Sequence, residues 1–183
     1  PFSVIIGTQD GQNTTEARII EDLWLKAYRQ EFNQCQCKLE FSVMNYTNAE
    51  LSKILFLAYL NHQVSYGNFM SELCENVPGG DAEAVLNAMS KDPRVNTDYM
   101  HPGIGAGGPC LPRDTEVLSK FTKTLGVSDR ETNNITASND WQIHRVLYKI
   151  CNILQSPKTD FKIAVLGLTY KPSYKWLGAS QGM

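Results

Sequence analysis

The 183-residue sequence has no excess of either charge, no unbroken apolar run long enough for a membrane, and few cysteines. Its 17 Lys and Arg stand against 19 Asp and Glu, a formal net charge of −2. A non-specific nucleic-acid binder would show a basic excess, so that class is set aside. The longest uncharged stretch, Ile54 to Ser71, is broken by Asn61, His62, Gln63, Asn68 and Ser71, so it is no membrane span. Pro1-Phe2-Ser3 has no basic n-region, and no secretory signal is read there. The 5 cysteines are Cys35, Cys37, Cys74, Cys110 and Cys151. Their odd count and scattered spacing point to free thiols in a reducing, cytoplasmic compartment. Cys35-Gln36-Cys37 lacks a second pair or a nearby His. It reads as two thiols at a helix end, and no metal is expected.

What is present is enough for a core without disulfides: 42% of residues are hydrophobic, and a domain of this size buries ~70% of its unfolded surface. Both ends carry short apolar strands, Ser3–Gly7 and Phe161–Gly167. A chain bounded by such core-type strands reads as a piece of something longer. Asn13 to about Phe32 places Ala17, Ile20, Leu23, Trp24, Ala27 and Tyr28 at helical spacing, and Leu39, Phe41 and Val43 alternate as a strand. Residues 1–45 therefore read as β-α-β. Thr47-Asn48-Ala49-Glu50 fits a capping box opening a helix that runs to about Glu75, roughly 43 Å long. Its segment Ile54–Leu60 is apolar on every face and needs cover on every face. A second copy of the chain is the simplest cover, so a homodimer through residues 47–75 is expected; a helix central in its own bundle is the alternative. Shorter helices are predicted at about 81–90 and 113–124, and a long one at about 129–155.

Residues 92–115 carry the chemistry. Gly103 to Gly108 formally matches G-x-G-x-x-G, but no strand precedes it, and Pro109 and Pro112 follow where a helix should open. The segment is not a dinucleotide fingerprint. Glycines such as Gly105, Gly107 and Gly108 let backbone approach a ligand closely. If Pro112 lies in the first turn of a helix, Cys110 sits at its N-terminus, where the dipole favours a thiolate, with Arg113 beside it. The alternative is a buried structural cysteine.

At this loop the sequence resembles the UDP-glucose/GDP-mannose dehydrogenase family. Pro102-Gly103-Ile104-Gly105-Ala106-Gly107-Gly108-Pro109-Cys110-Leu111-Pro112-Arg113-Asp114 is similar to the family's P-G-x-G-[FY]-G-G-S-C-[LF]-P-K-D. Ala49-Glu50-Leu51-Ser52-Lys53, Asp92-Pro93-Arg94 and Leu166-Gly167-Leu168-Thr169-Tyr170-Lys171-Pro172 resemble three further family motifs, in register. The resemblance implies a mainly α fold, a helical middle domain with a long central helix and flanking α/β pieces. Residues 1–46 would end an NAD-binding domain, 47–157 form the dimerising middle domain, and 158–183 start a nucleotide-sugar-binding domain. It further implies oxidation of the C6 alcohol of a UDP- or GDP-sugar to a carboxylate with two NAD, through a thiohemiacetal and a thioester on a cysteine. The NAD fingerprint would lie upstream, leaving this chain alone inactive.

By the same resemblance Cys110 is the nucleophile, Lys53 stabilises the oxyanion, and Asp114 activates water or orients that network. Arg94, Gly105, Gly107, Gly108 and Lys171 contact the nucleotide sugar. From the residues alone, Lys53 and Lys171 read as solvated charges and Asp114 as a first-turn acid complementing the helix dipole. Three departures stand out. Leu57 occupies the place of the family's Asn, and Asn61 lies a turn further on. Ala106 and Pro109 replace an aromatic and a serine. Ser173-Tyr174-Lys175-Trp176-Leu177 replaces an acidic-Arg-Glu-Ser run. They favour an altered substrate, or the alternative of a non-catalytic dimerisation module in a degenerate family member. Of the histidines, only His101, beside the loop, is placed to touch substrate.

Overall fold

The computed structural model describes residues 2–31, 38–154 and 162–183. Cys35, Cys37 and Phe161 lie outside the described residues. The fold is mainly α: β1 (Phe2–Thr8), α1 (Thr15–Glu31), β2 (Leu39–Asn45), α2 (Tyr46–Asn76), α3 (Ala82–Met89), α4 (Leu111–Thr124) and α5 (Arg130–Leu154). By contacts the chain divides into two compact units, Pro1–Leu55 and Phe56–Met183, with the dividing point inside α2.

In the first unit β1 and β2 pair in parallel, Phe2 opposite Leu39 through Thr8 opposite Asn45. A parallel pair needs a crossover, and α1 supplies it. Thr14 caps α1, its hydroxyl accepting from the Ala17 amide at 3.2 Å. Ile6, Ala17 and Leu39 are buried, whereas Ile19, Ile20, Leu23 and Trp24 on α1 are exposed. The predicted apolar face of α1 therefore forms but is largely open within this unit. The cap of α2 is not Thr47. The Asn45 side chain accepts from the Asn48 amide at 2.9 Å, so the helix starts two residues earlier. The strand runs straight into the helix, and Asn45 is the last residue able to reach the third free amide.

In the second unit, Met70 of α2, Leu86 of α3 and Met100 form an apolar cluster, with Cys74, Met89 and Val95 against it. Asp81 caps α3, its carboxylate accepting from the Glu83 and Ala84 amides. The remaining interior is unusually polar. Asn61, Gln63, Ser65 and Asn68 on α2, Thr115 on α4, and Gln142 and Arg145 on α5 are all buried beside Leu57, Leu60, Leu118 and Ile135. At Gly67 the backbone of Met100 passes so close that a Cβ would meet its carbonyl oxygen at 2.2 Å. That contact presses the loop after α3 onto α2.

The strand expected over residues 161–167 is not formed in its described part. Residues 162–167 carry no strand structure, and Ile163, Val165 and Leu166 are exposed. A strand is stable only with a hydrogen-bonded neighbour, and none lies alongside among the described residues. Apolarity alone cannot supply it.

Candidate active site

The loop from Asp92 to Cys110 has little regular structure, so its backbone polar groups need partners from elsewhere. Side-chain amides provide them. Gln63 donates to the Asn96 carbonyl at 2.8 Å. The Asn68 side-chain oxygen accepts from the Gly103 amide at 2.8 Å, while Gln142 donates to the Gly103 carbonyl and to Asn68. Asn139 holds Ala106 from both sides, accepting from its amide at 2.6 Å and donating to its carbonyl at 3.2 Å. An amide side chain presents the same donor and acceptor as a peptide unit, which suits it to this task.

Two glycines are required by this geometry. Gly105 has φ +125, and a Cβ there would lie 2.6 Å from the Asn139 oxygen; Gly108 has φ +86, and its Cβ would enter the Tyr170 ring. Gly107 lies against the Ala179 carbonyl, and the Gly108 amide donates to that carbonyl at 2.8 Å. Tyr170 packs edge-on against Tyr174 and Trp176, and Lys171 stands 5.8 Å from the Tyr174 ring. The Tyr170 phenol is pushed up, first by burial and then by Tyr174, with the Cys110 sulfur adding to it.

Behind the loop lies an ionic cluster. Arg145, 7% exposed, pairs with Glu75, and Lys149 pairs with the same carboxylate. Arg145 also donates to Gln142 at 3.1 Å, so the amide that grips Gly103 is itself held. The Lys149 hydrogen bond, ahead of opposing burial and of Arg145, keeps the Glu75 carboxyl below the ordinary carboxylate range.

Cys110 is exposed and free, at the N-cap of α4, with no capping hydrogen bond from its side chain and Pro112 within the first turn. The residue thus sits at the positive end of the α4 dipole. This excludes the buried structural cysteine. Asp114 accepts from Arg113 at 2.7 Å, which holds the guanidinium above its ordinary range; the Cys110 sulfur contributes in the same sense. Cys110, Asp114, Gly105, Gly107 and Gly108 therefore come together, with Lys171 on the segment beside them. Arg94 is exposed and forms a two-pronged pair with Asp92, at 2.9 and 2.6 Å. The Arg94 guanidinium holds the Asp92 carboxyl low. Lys53 is exposed on α2, within the first unit. Leu57 is buried, and His101 is exposed.

A sequence model of the UDP-glucose/GDP-mannose dehydrogenase family, central domain, matches residues 47–141. The chain belongs to this family. The UDP-glucose 6-dehydrogenase of Mus musculus is 33% identical over 177 residues, covering 93% of this chain and 34% of that protein. UDP-glucose 6-dehydrogenase TuaD of Bacillus subtilis is 31% identical over 129 residues, covering 70% of this chain and 28% of that protein. The fold is shared with a UDP-glucose dehydrogenase from the archaeon Pyrobaculum islandicum, at a TM-score of 0.80 and 24% identity, over 100% of this chain and 39% of that one. The chain thus spans about a third of the length of the curated relatives it matches.

Sequence patterning did not reveal Asn61, Asn68, Asn139 and Gln142. A signal existed: Asn61, Ser65 and Asn68 recur at helical spacing just after the apolar run Ile54–Leu60. Asn139→Ala removes both bonds to Ala106 and leaves its buried amide unpaired. We expect a loss of about 1–3 kcal/mol in stability, read as a lowered melting temperature. Asn139→Asp keeps the acceptor and loses less.

Proposed function

We propose that the chain is the thiol-bearing part of an NAD-dependent nucleotide-sugar 6-dehydrogenase, acting on the C6 position of a UDP- or GDP-sugar. The observation that carries this reading is the exposed Cys110 sulfur at the head of α4, with Arg113 and Asp114 in the same turn. The Cys110 thiolate adds to a C6 aldehyde, forming a carbon–sulfur bond, and the carbonyl oxygen takes a proton to give a thiohemiacetal. With NAD as the two-electron oxidant the carbon would reach the acyl level as a thioester, and water then displaces the sulfur and releases a carboxylate and the thiol. Asp114 is the group proposed to orient or deprotonate that water. Arg94 and Lys171 are the proposed contacts to the nucleotide sugar.

The close approaches that Gly105 and Gly108 permit are taken up by Asn139 and Tyr170 of the same chain, which supports reading the G-x-G-x-x-G match as something other than a dinucleotide fingerprint. The exposed apolar face of α1 beside a parallel strand pair supports reading residues 1–46 as the end of a larger α/β sheet. The described cysteines, all free, support a reducing, cytoplasmic compartment. Among the described residues no helix is long and apolar enough to cross a membrane.

The second copy is proposed on a separate observation. Phe56, Tyr59, Tyr66, Phe69 and Leu73 stand exposed along α2, each 44% or more. A large-residue stripe of this kind marks an association surface. The buried Leu57, where the family has Asn, favours the alternative of a dimerisation module without chemistry.

Two outcomes follow. Iodoacetamide modifies Cys110 on the order of tenfold faster than Cys151, which is also exposed but lies in the last turn of α5, at the negative end of that helix's dipole; equal rates leave only the dimerisation module. By sedimentation the chain is a dimer, and Phe69→Lys makes it monomeric; a monomeric parent chain contradicts the second-copy reading.

A further inference from the structure

Asn61 is 3% exposed and lies on α2 beneath the first turn of α4. Its amide nitrogen donates to the Thr115 hydroxyl at 2.9 Å and to the Leu111 carbonyl at 3.3 Å. Thr115, only 1% exposed, donates in turn to the same Leu111 carbonyl at 2.8 Å. These three groups tie both ends of the turn that begins at Cys110 and contains Asp114. The side-chain oxygen of Asn61 is buried and has no partner among the described residues. A buried amide with an unpaired oxygen is costly, and an apolar residue of similar size avoids that cost. The turn does not need Asn61 to satisfy its polar groups, because Thr115 already serves Leu111. What the amide adds is a fixed position for the head of α4.

We propose that Asn61 is a positioning residue for the Cys110 thiol, holding the first turn of α4 so that the sulfur meets its reaction partner in a fixed direction. This rests on the reading of Cys110 as the nucleophile. Local rules of burial are broken where function requires it, and stability is given up in return. A residue with a merely structural role would behave differently: its replacement would lower the melting temperature.

The test uses the full chain, with Cys151 as an internal reference. Asn61→Leu is expected to slow iodoacetamide modification of Cys110 about threefold or more. Cys151 keeps its rate, and the melting temperature is unchanged or raised. Thr115→Val, which removes the hydroxyl Asn61 holds, slows Cys110 as well, and Thr115→Ser, which keeps it, does not. If Asn61→Leu fails to fold, the Thr115 pair decides: slowing in Val alone supports the proposal, and equal rates in Val and Ser overturn it. An unchanged Cys110 rate in a folded Asn61→Leu chain overturns it too, as does slowing that appears only with a lowered melting temperature. A parent chain in which Cys110 is no faster than Cys151 instead defeats the nucleophile reading itself.

Discussion

An irregular, glycine-rich segment packed among helices must still satisfy its backbone N–H and C=O groups, and in this fold side-chain amides do so in place of other backbone. Gln63 takes the Asn96 carbonyl, Asn68 and Gln142 take the two sides of Gly103, and Asn139 takes the two sides of Ala106. The helices can then be regular and the loop irregular with these loop backbone groups paired. The consequence is positional: the loop ends where α4 begins, with the exposed Cys110 at its head.

This arrangement explains why the interior of the second unit is so polar. The apolar cluster of Met70, Leu86 and Met100 supplies burial, and the amides supply direction. Burying amides and a guanidinium is favourable only when each is paired, and the Arg145–Glu75–Lys149 cluster meets that condition for the charged members. Gln142 links that cluster to Gly103. The grip on the loop is therefore backed by an ion pair and does not depend on one flexible side chain.

Much of the frame was legible in the sequence. Helical periodicity and punctuation located all five helices to within a few residues, since both are local properties. The thiol's place at a helix start followed from Pro112 and the glycines before it. The cap of α2 was misplaced because Asn45 competes with the Thr47 motif, and only the path of β2 decides between them. The strand at 161–167 failed in its described part because pairing is not local. The amides went unread because Asn61, Asn68 and Asn139 look like solvated positions until α4 and the loop are brought against them. No periodicity states what a polar stripe will face.

The placement of the thiol depends on the amides holding the loop in one conformation. Amide hydrogen exchange in the intact chain tests this directly. The Gly103 and Ala106 amides, bound by Asn68 and Asn139, should exchange far more slowly than the amide of the exposed Ile104 between them. Exchange at one common rate across 103–106 would mean the loop is not held, and the position of Cys110 would lose its physical basis.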